Sequence, residues 1–154
     1  MNKAKQRLIL EQLERKMHAL STIEVSGSMS EGWIFTVRKA LNMTLRQLAA
    51  KMGATAQNMK KLEQGEKEGS ISLRKLRETA DALDMKFVYA FLPKDGSLEK
   101  LIEKKASQKA KEIVGRTSHT MSLEDQKNSD ERLRKAIEQK TETIARELPR
   151  YLWD

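Results

Sequence analysis

The chain has 154 residues, with 30 Lys and Arg against 22 Asp and Glu for a formal net charge of +8. It has no Cys, which excludes a disulfide framework, a thiolate zinc site, an iron–sulfur cluster and a cysteine nucleophile. Aromatic residues make up 5%, with only seven Gly and two Pro, a composition that favours helices over a sheet-built fold.

No run approaches the ~20 apolar residues of a membrane span. The first residues carry charge every few positions instead of an apolar signal core. The expectation is a soluble, cytoplasmic protein with no membrane contact. The basic excess is uneven. Residues 31–75 hold 9 Lys and Arg against 4 Asp and Glu, whereas residues 76–154 hold 16 against 15. A concentrated excess points to a polyanion met by the middle of the chain; ordinary solubility is the competing explanation.

Ile9, Leu13, Met17 and Leu20 recur at helical spacing, so residues 3–20 read as an amphipathic helix whose stripe needs a surface to cover it. Ser21 to Ser30 reads as a polar linker. Ser28-Met-Ser-Glu31 and Thr44-Leu-Arg-Gln47 have capping-box spacing, and Ser72 is a candidate N-cap. Helices are expected near 31–41, 45–52, 55–64 and 72–83, with Gly65 ending the third.

Met85 to Leu92 (MKFVYAFL) concentrates β-branched and aromatic residues, and Pro93 stops it. It reads as a strand. A lone strand has no ladder partner, and pairing with the same strand of a second copy would supply one through Phe87, Val88, Tyr89 and Phe91. A buried helix turn or pairing elsewhere in the chain are the alternatives. Helices over 97–114 and 122–148 follow, separated by a turn at Gly115–Thr120. The tail from Pro149 ends in Tyr151, Leu152 and Trp153.

The most specific pattern is Thr44 to Gly65, TLRQLAAKMGATAQNMKKLEQG. Two helices joined by a tight turn need Leu48 and Met52 apolar, Ala49 small under the crossing helix, and Gly53 at the turn. They also need Ala54 small, and Met59 and Leu62 apolar to seat the second helix. All seven positions comply. The pattern predicts a helix-turn-helix.

With Met59 and Leu62 inward, Ala56, Gln57, Asn58, Lys60 and Lys61 remain to face a partner. Gln pairs bidentately with adenine, and Lys reaches guanine or phosphate. Thr55 caps this helix, where its hydroxyl and unpaired amides suit a phosphate. Thr44, Arg46 and Gln47 open the preceding helix, which crosses the backbone in such modules. Gln47 has a competing use in the capping box. Lys67, placed in the loop beyond, is a further phosphate candidate. A solvated surface face, or a module used for protein contact, is the plainer explanation of the same residues.

From Glu31 to Pro93 the chain resembles Cro/CI-type (Xre-like) helix-turn-helix regulators. GWIFTVRKALNMTLRQLAAKMGATAQNMKKLEQGE, LRKLRETADALDMKFVYAFLP, HTMSLEDQ and the terminal LWD together resemble the family called mobile mystery protein A, over nearly the whole length. The resemblance implies a mainly α protein with a Cro/CI-like five-helix domain. It also implies a regulator that binds its own operator in double-stranded DNA, encoded beside a Fic-domain partner in a toxin–antitoxin-like pair. One departure stands out. The inhibitory Ser/Thr-x-x-x-Glu-Gly/Asn motif of many Fic inhibitors is absent, because Gly27 and Gln64 precede the pairs Glu31-Gly32 and Glu68-Gly69.

The expected organisation is an N-terminal helix and linker over 1–30 and a DNA-binding domain over 31–84. A short dimerising strand over 85–93 and a helical extension over 94–154 complete it. Catalysis is not expected. The two histidines, His18 and His119, lie far apart, and no phosphate loop, GxGxxG or HExxH occurs. No metal or cofactor is expected. The partners expected are operator DNA, a second copy and a Fic-domain protein.

Overall fold

In the computed structural model, residues 2–23, 30–118 and 126–154 are described. They form seven α-helices and a terminal 3-10 turn, with no strand among the described residues. The chain divides into two compact units: Glu24–Tyr89, and Met1–Ile23 together with Ala90–Asp154.

In Glu24–Tyr89 the helices are α2 (Trp33–Ala40), α3 (Leu45–Lys51), α4 (Ala56–Glu68) and α5 (Leu73–Ala82). Side-chain oxygens start three of them. Thr44 accepts from the Gln47 amide N–H at 3.2 Å while the Gln47 side chain accepts from the Thr44 amide at 2.8 Å, completing a capping box. Thr55 accepts from the Asn58 amide and Ser72 from the Lys75 amide, each at 3.2 Å. Such caps are worth about 1 kcal/mol each.

The core of this unit is Ile34, Leu48, Ala49, Met59 and Leu83, with Met52, Ala54, Leu62, Ile71 and Leu76 packed around it. Gly53 turns α3 into α4 at φ +61°, where a side chain is strained. The seven positions of the two-helix pattern thus lie in this core or at its turn. An ion pair is buried beside them. Arg38 of α2 engages both carboxylate oxygens of Glu63 of α4 and donates to the Met43 carbonyl at 2.9 Å. Neither residue was singled out in the sequence.

α4 is longer than expected. Gly65 does not end it; the helix runs to Glu68 and stops at Gly69, which takes the left-handed conformation at φ +73°. The Gly65 carbonyl accepts from the Ser70 and Ile71 amides, so the returning chain packs over a helical glycine. Lys67 is therefore on α4 and not in a loop. Ser28, a proposed cap of α2, lies outside the described residues, and Gly32 stands at the N-cap.

The expected strand over 85–93 is not formed. Residues 85–93 carry no regular secondary structure, although the Phe87 and Tyr89 rings stack at 5.9 Å. A strand exists only through a ladder, and no other segment of this chain has comparable β-branched and aromatic density to pair with it.

The other unit holds α1 (Lys3–Ser21), α6 (Leu98–Ser118), α7 (Gln126–Glu147) and the 3-10 turn Arg150–Trp153. Ile102, Ala106 and Ala110 of α6 are buried with Ile144 of α7, the alanines letting the helices approach closely. Leu152 is buried with them, so the tail folds back through its leucine while Tyr151 and Trp153 stay exposed. Gly115 to Ser118 continue α6 where a turn was expected; His119, Ser122 and the rest of 119–125 lie outside the described residues. α1 differs too. Leu10 meets the core, whereas Ile9 and Leu13 of the expected stripe are exposed. Glu14 is on the same side as Leu10: its carboxylate accepts from the Leu98 amide at 3.0 Å, at the start of α6, while Met17 and Leu20 are half-buried.

Candidate nucleic-acid interface

α4 has two unlike faces. Met59 and Glu63 are buried and Leu62 is half-buried, all on the side packed into the core. Gln57, Asn58, Lys60, Lys61 and Gln64 are exposed, and Ala56 is half-buried at the start of the helix. This follows from the 3.6-residue period, which returns Met59, Leu62 and Glu63 to one side. Of the exposed residues, Gln64 spends its amide on Glu68. Thr55 is exposed, and its oxygen already accepts from the Asn58 amide.

Thr44, Arg46 and Gln47 are all exposed at the start of α3. The carbonyl end of Gln47 is occupied by the Thr44 amide and hydroxyl, at 2.8 and 3.0 Å. Lys67 stands apart from this group in its bonding: its ammonium lies 2.9 Å from Glu31, an exposed pair. Such pairs are worth about 0–1 kcal/mol and exchange readily with another anion.

Folding adds residues that were not named in advance. Between α4 and α5 lies an open groove of about 920 Å³, lined by apolar Met52, Ala54, Leu62, Ile71 and Ala82 and by polar residues that include Lys51, Asn58, Lys61, Ser72 and Lys75. The sequence marks Ser72 only as a cap and does not single out Lys51 or Lys75. Nothing in one-dimensional spacing says that they flank Lys61.

Charges of both signs line this groove, Lys51, Lys61 and Lys75 against Glu78 and Asp81. α3, α4 and α5 each start on a hydroxyl cap, and none has an acidic residue in its first turn. Each helix N-terminus therefore keeps its partial positive charge uncompensated. Lys75 donates to Glu78 at 2.7 Å, and this hydrogen bond holds the Glu78 carboxyl below its ordinary range. An elongated polyanion with hydrogen-bonding edges meets the chemistry available here: amides and cations for phosphates, and an amide and an ammonium on one exposed helix for base edges.

Among the described residues no group of three or more His, Asp or Glu side chains could hold a metal, and no helix is long and apolar enough to cross a membrane. No protein-family model matches this chain, and no match is found among curated proteins or among solved structures.

Proposed function

We propose that this protein is a sequence-specific DNA-binding regulator of the Cro/CI helix-turn-helix class, acting as a homodimeric repressor of its own operon. α3 and α4 are the helix-turn-helix, and α4 enters the major groove. Gln57 and Lys61 meet base edges. Thr44, Arg46, Thr55, Ser72 and Lys75 meet the phosphates on either side, and Lys60 and Lys67 add charge. One observation carries the reading: the helix whose inner face is seated by Met59 and Leu62 exposes an amide and two lysines outward. The basic surplus in residues 31–75 supports it independently.

Two copies would place two such helices in successive major grooves, about 34 Å apart. The exposed apolar side chains Val88, Tyr89 and Phe91 are the surface proposed to join the copies, through side-chain packing alone. The family resemblance supplies the operon partner, a Fic-domain protein. A second reading, restraint of that partner by direct contact, is favoured by exposed Tyr151 and Trp153 on a tail anchored at Leu152.

Selection from a pool of randomised duplexes by the full chain tests the primary reading. The expected result is enrichment of an inverted repeat with half-sites about one helical turn apart, bound with a steep salt dependence. A pool that stays random after repeated rounds would overturn it.

A further inference from the structure

We infer that Glu66 is a positioning residue that sets the angle of α4 by clamping it to the first turn of α2. The inference rests on the DNA-binding reading for its consequence, but its structural core does not. The Glu66 carboxylate accepts from the Trp33 amide through Oε1 at 2.9 Å and from the Ile34 amide through Oε2 at 2.8 Å. An acid near the C-terminal end of α4 opposes the dipole of its own helix, but here it lies on the positive end of another.

Gly32 is shaped for this contact. Its φ is +83°, and a Cβ there would lie 2.8 Å from Glu66 Oε2. A side chain at position 32 would both strain the backbone and push the carboxylate away.

The clamp matters because one anchor does not fix an angle. Arg38–Glu63 ties the last turn of α2 to α4, and a single polar tie leaves a pivot. Glu66, one turn further along the same face of α4, adds a second tie at the other end of α2. The lever is long. Gln57 lies nine residues before Glu66, ~13 Å along the helix, so a tilt of ~5° moves it by ~1 Å. Base-edge hydrogen bonds tolerate only a few tenths of an ångström. Phosphate contacts made by flexible lysines tolerate more.

The test uses the full chain. Because it has no Cys, nitroxide labels placed through Lys39→Cys and Lys60→Cys report the α2–α4 separation alone. Glu66→Gln keeps the size of the side chain but removes its charge and one acceptor. It is expected to broaden the distance distribution and to speed hydrogen exchange at Trp33 and Ile34. Its preference for the selected duplex over a scrambled one should fall about tenfold, with scrambled-duplex affinity unchanged within about twofold. Gly32→Ala should behave alike. Glu31→Ala, which removes only the neighbouring exposed pair, should keep the wild-type distribution and preference.

A distribution in Glu66→Gln as narrow as the wild type overturns the clamp, even if melting temperature falls. Where the wild type prefers the selected duplex, an unchanged preference in Glu66→Gln overturns the positioning role on DNA. If Gly32→Ala does not fold, the near-isosteric Glu66→Gln carries the test. If the wild type prefers no duplex, the DNA reading fails, and the label distances still judge the clamp.

Discussion

Arg38 and Glu63 meet across α2 and α4 with all but a small part of both side chains out of solvent, the guanidinium reaching both carboxylate oxygens and the Met43 carbonyl. The Arg38 guanidinium also lies 5.5 Å from the centre of the Phe35 ring. Among the described residues no buried side-chain polar atom is left without a partner. This is the arrangement under which a buried pair orients helices without leaving a bare charge.

Removing one partner should therefore cost far more than the pair contributes net. Glu63→Ala strands a buried guanidinium and is expected to destabilise the unit by about 3–5 kcal/mol. Replacing both, Arg38→Met with Glu63→Leu, should recover most of that loss. Denaturant unfolding of the single and double variants checks it, and a double variant as unstable as Glu63→Ala would show that the pair supplies more than desolvation relief.

The proposed DNA-binding surface would divide into two roles with different signatures, one on α4 and one on α5. Gln57→Ala is expected to lower discrimination between operator variants by about 1–3 kcal/mol at one base position. Lys75→Ala should weaken all duplexes alike and reduce the salt slope by about 1. Titrations at several salt concentrations separate the two. Equal losses on every sequence from Gln57→Ala would remove its base-reading role.

Residues 85–92 leave an unusual amount of apolar surface in water: Val88 and Tyr89 are each 60% exposed and Phe91 is 83% exposed. If they join two copies, Val88→Asp with Phe91→Asp should give monomers in sedimentation at concentrations where the wild type is a dimer. Helical content should be unchanged, because neither residue is in a helix. A variant that still sediments as the wild-type dimer would place the interface elsewhere.

Much of the architecture is legible in one dimension because its causes are local. Hydroxyl caps at Thr44, Thr55 and Ser72 announce α3, α4 and α5, and the spacing of Leu48, Met52, Met59 and Leu62 marks the faces that must turn inward. Burial and capping act over three or four residues, which is the range sequence spacing reports.

What was misread depends on partners distant in the chain. Gly65 looked like a helix end, and the returning Ser70 and Ile71 made it helical. Of the expected stripe of α1, Met17 and Leu20 are half-buried but Ile9 and Leu13 are exposed, and Leu10 packs beside Glu14, which caps Leu98, 84 positions away. Residues 85–92 have the composition of a strand but no second segment to pair with.

Propensity and periodicity, then, settled which stretches are helical and which side of α4 turns outward, because those preferences are decided within a few turns of backbone. The tertiary structure alone decided that Arg38 meets Glu63, that Glu66 seats on the α2 amides over Gly32, and that Lys51 and Lys75 line one groove with Lys61. Such encounters depend on how helices cross, and crossing angles come from packing whole surfaces, which no single stretch of chain encodes.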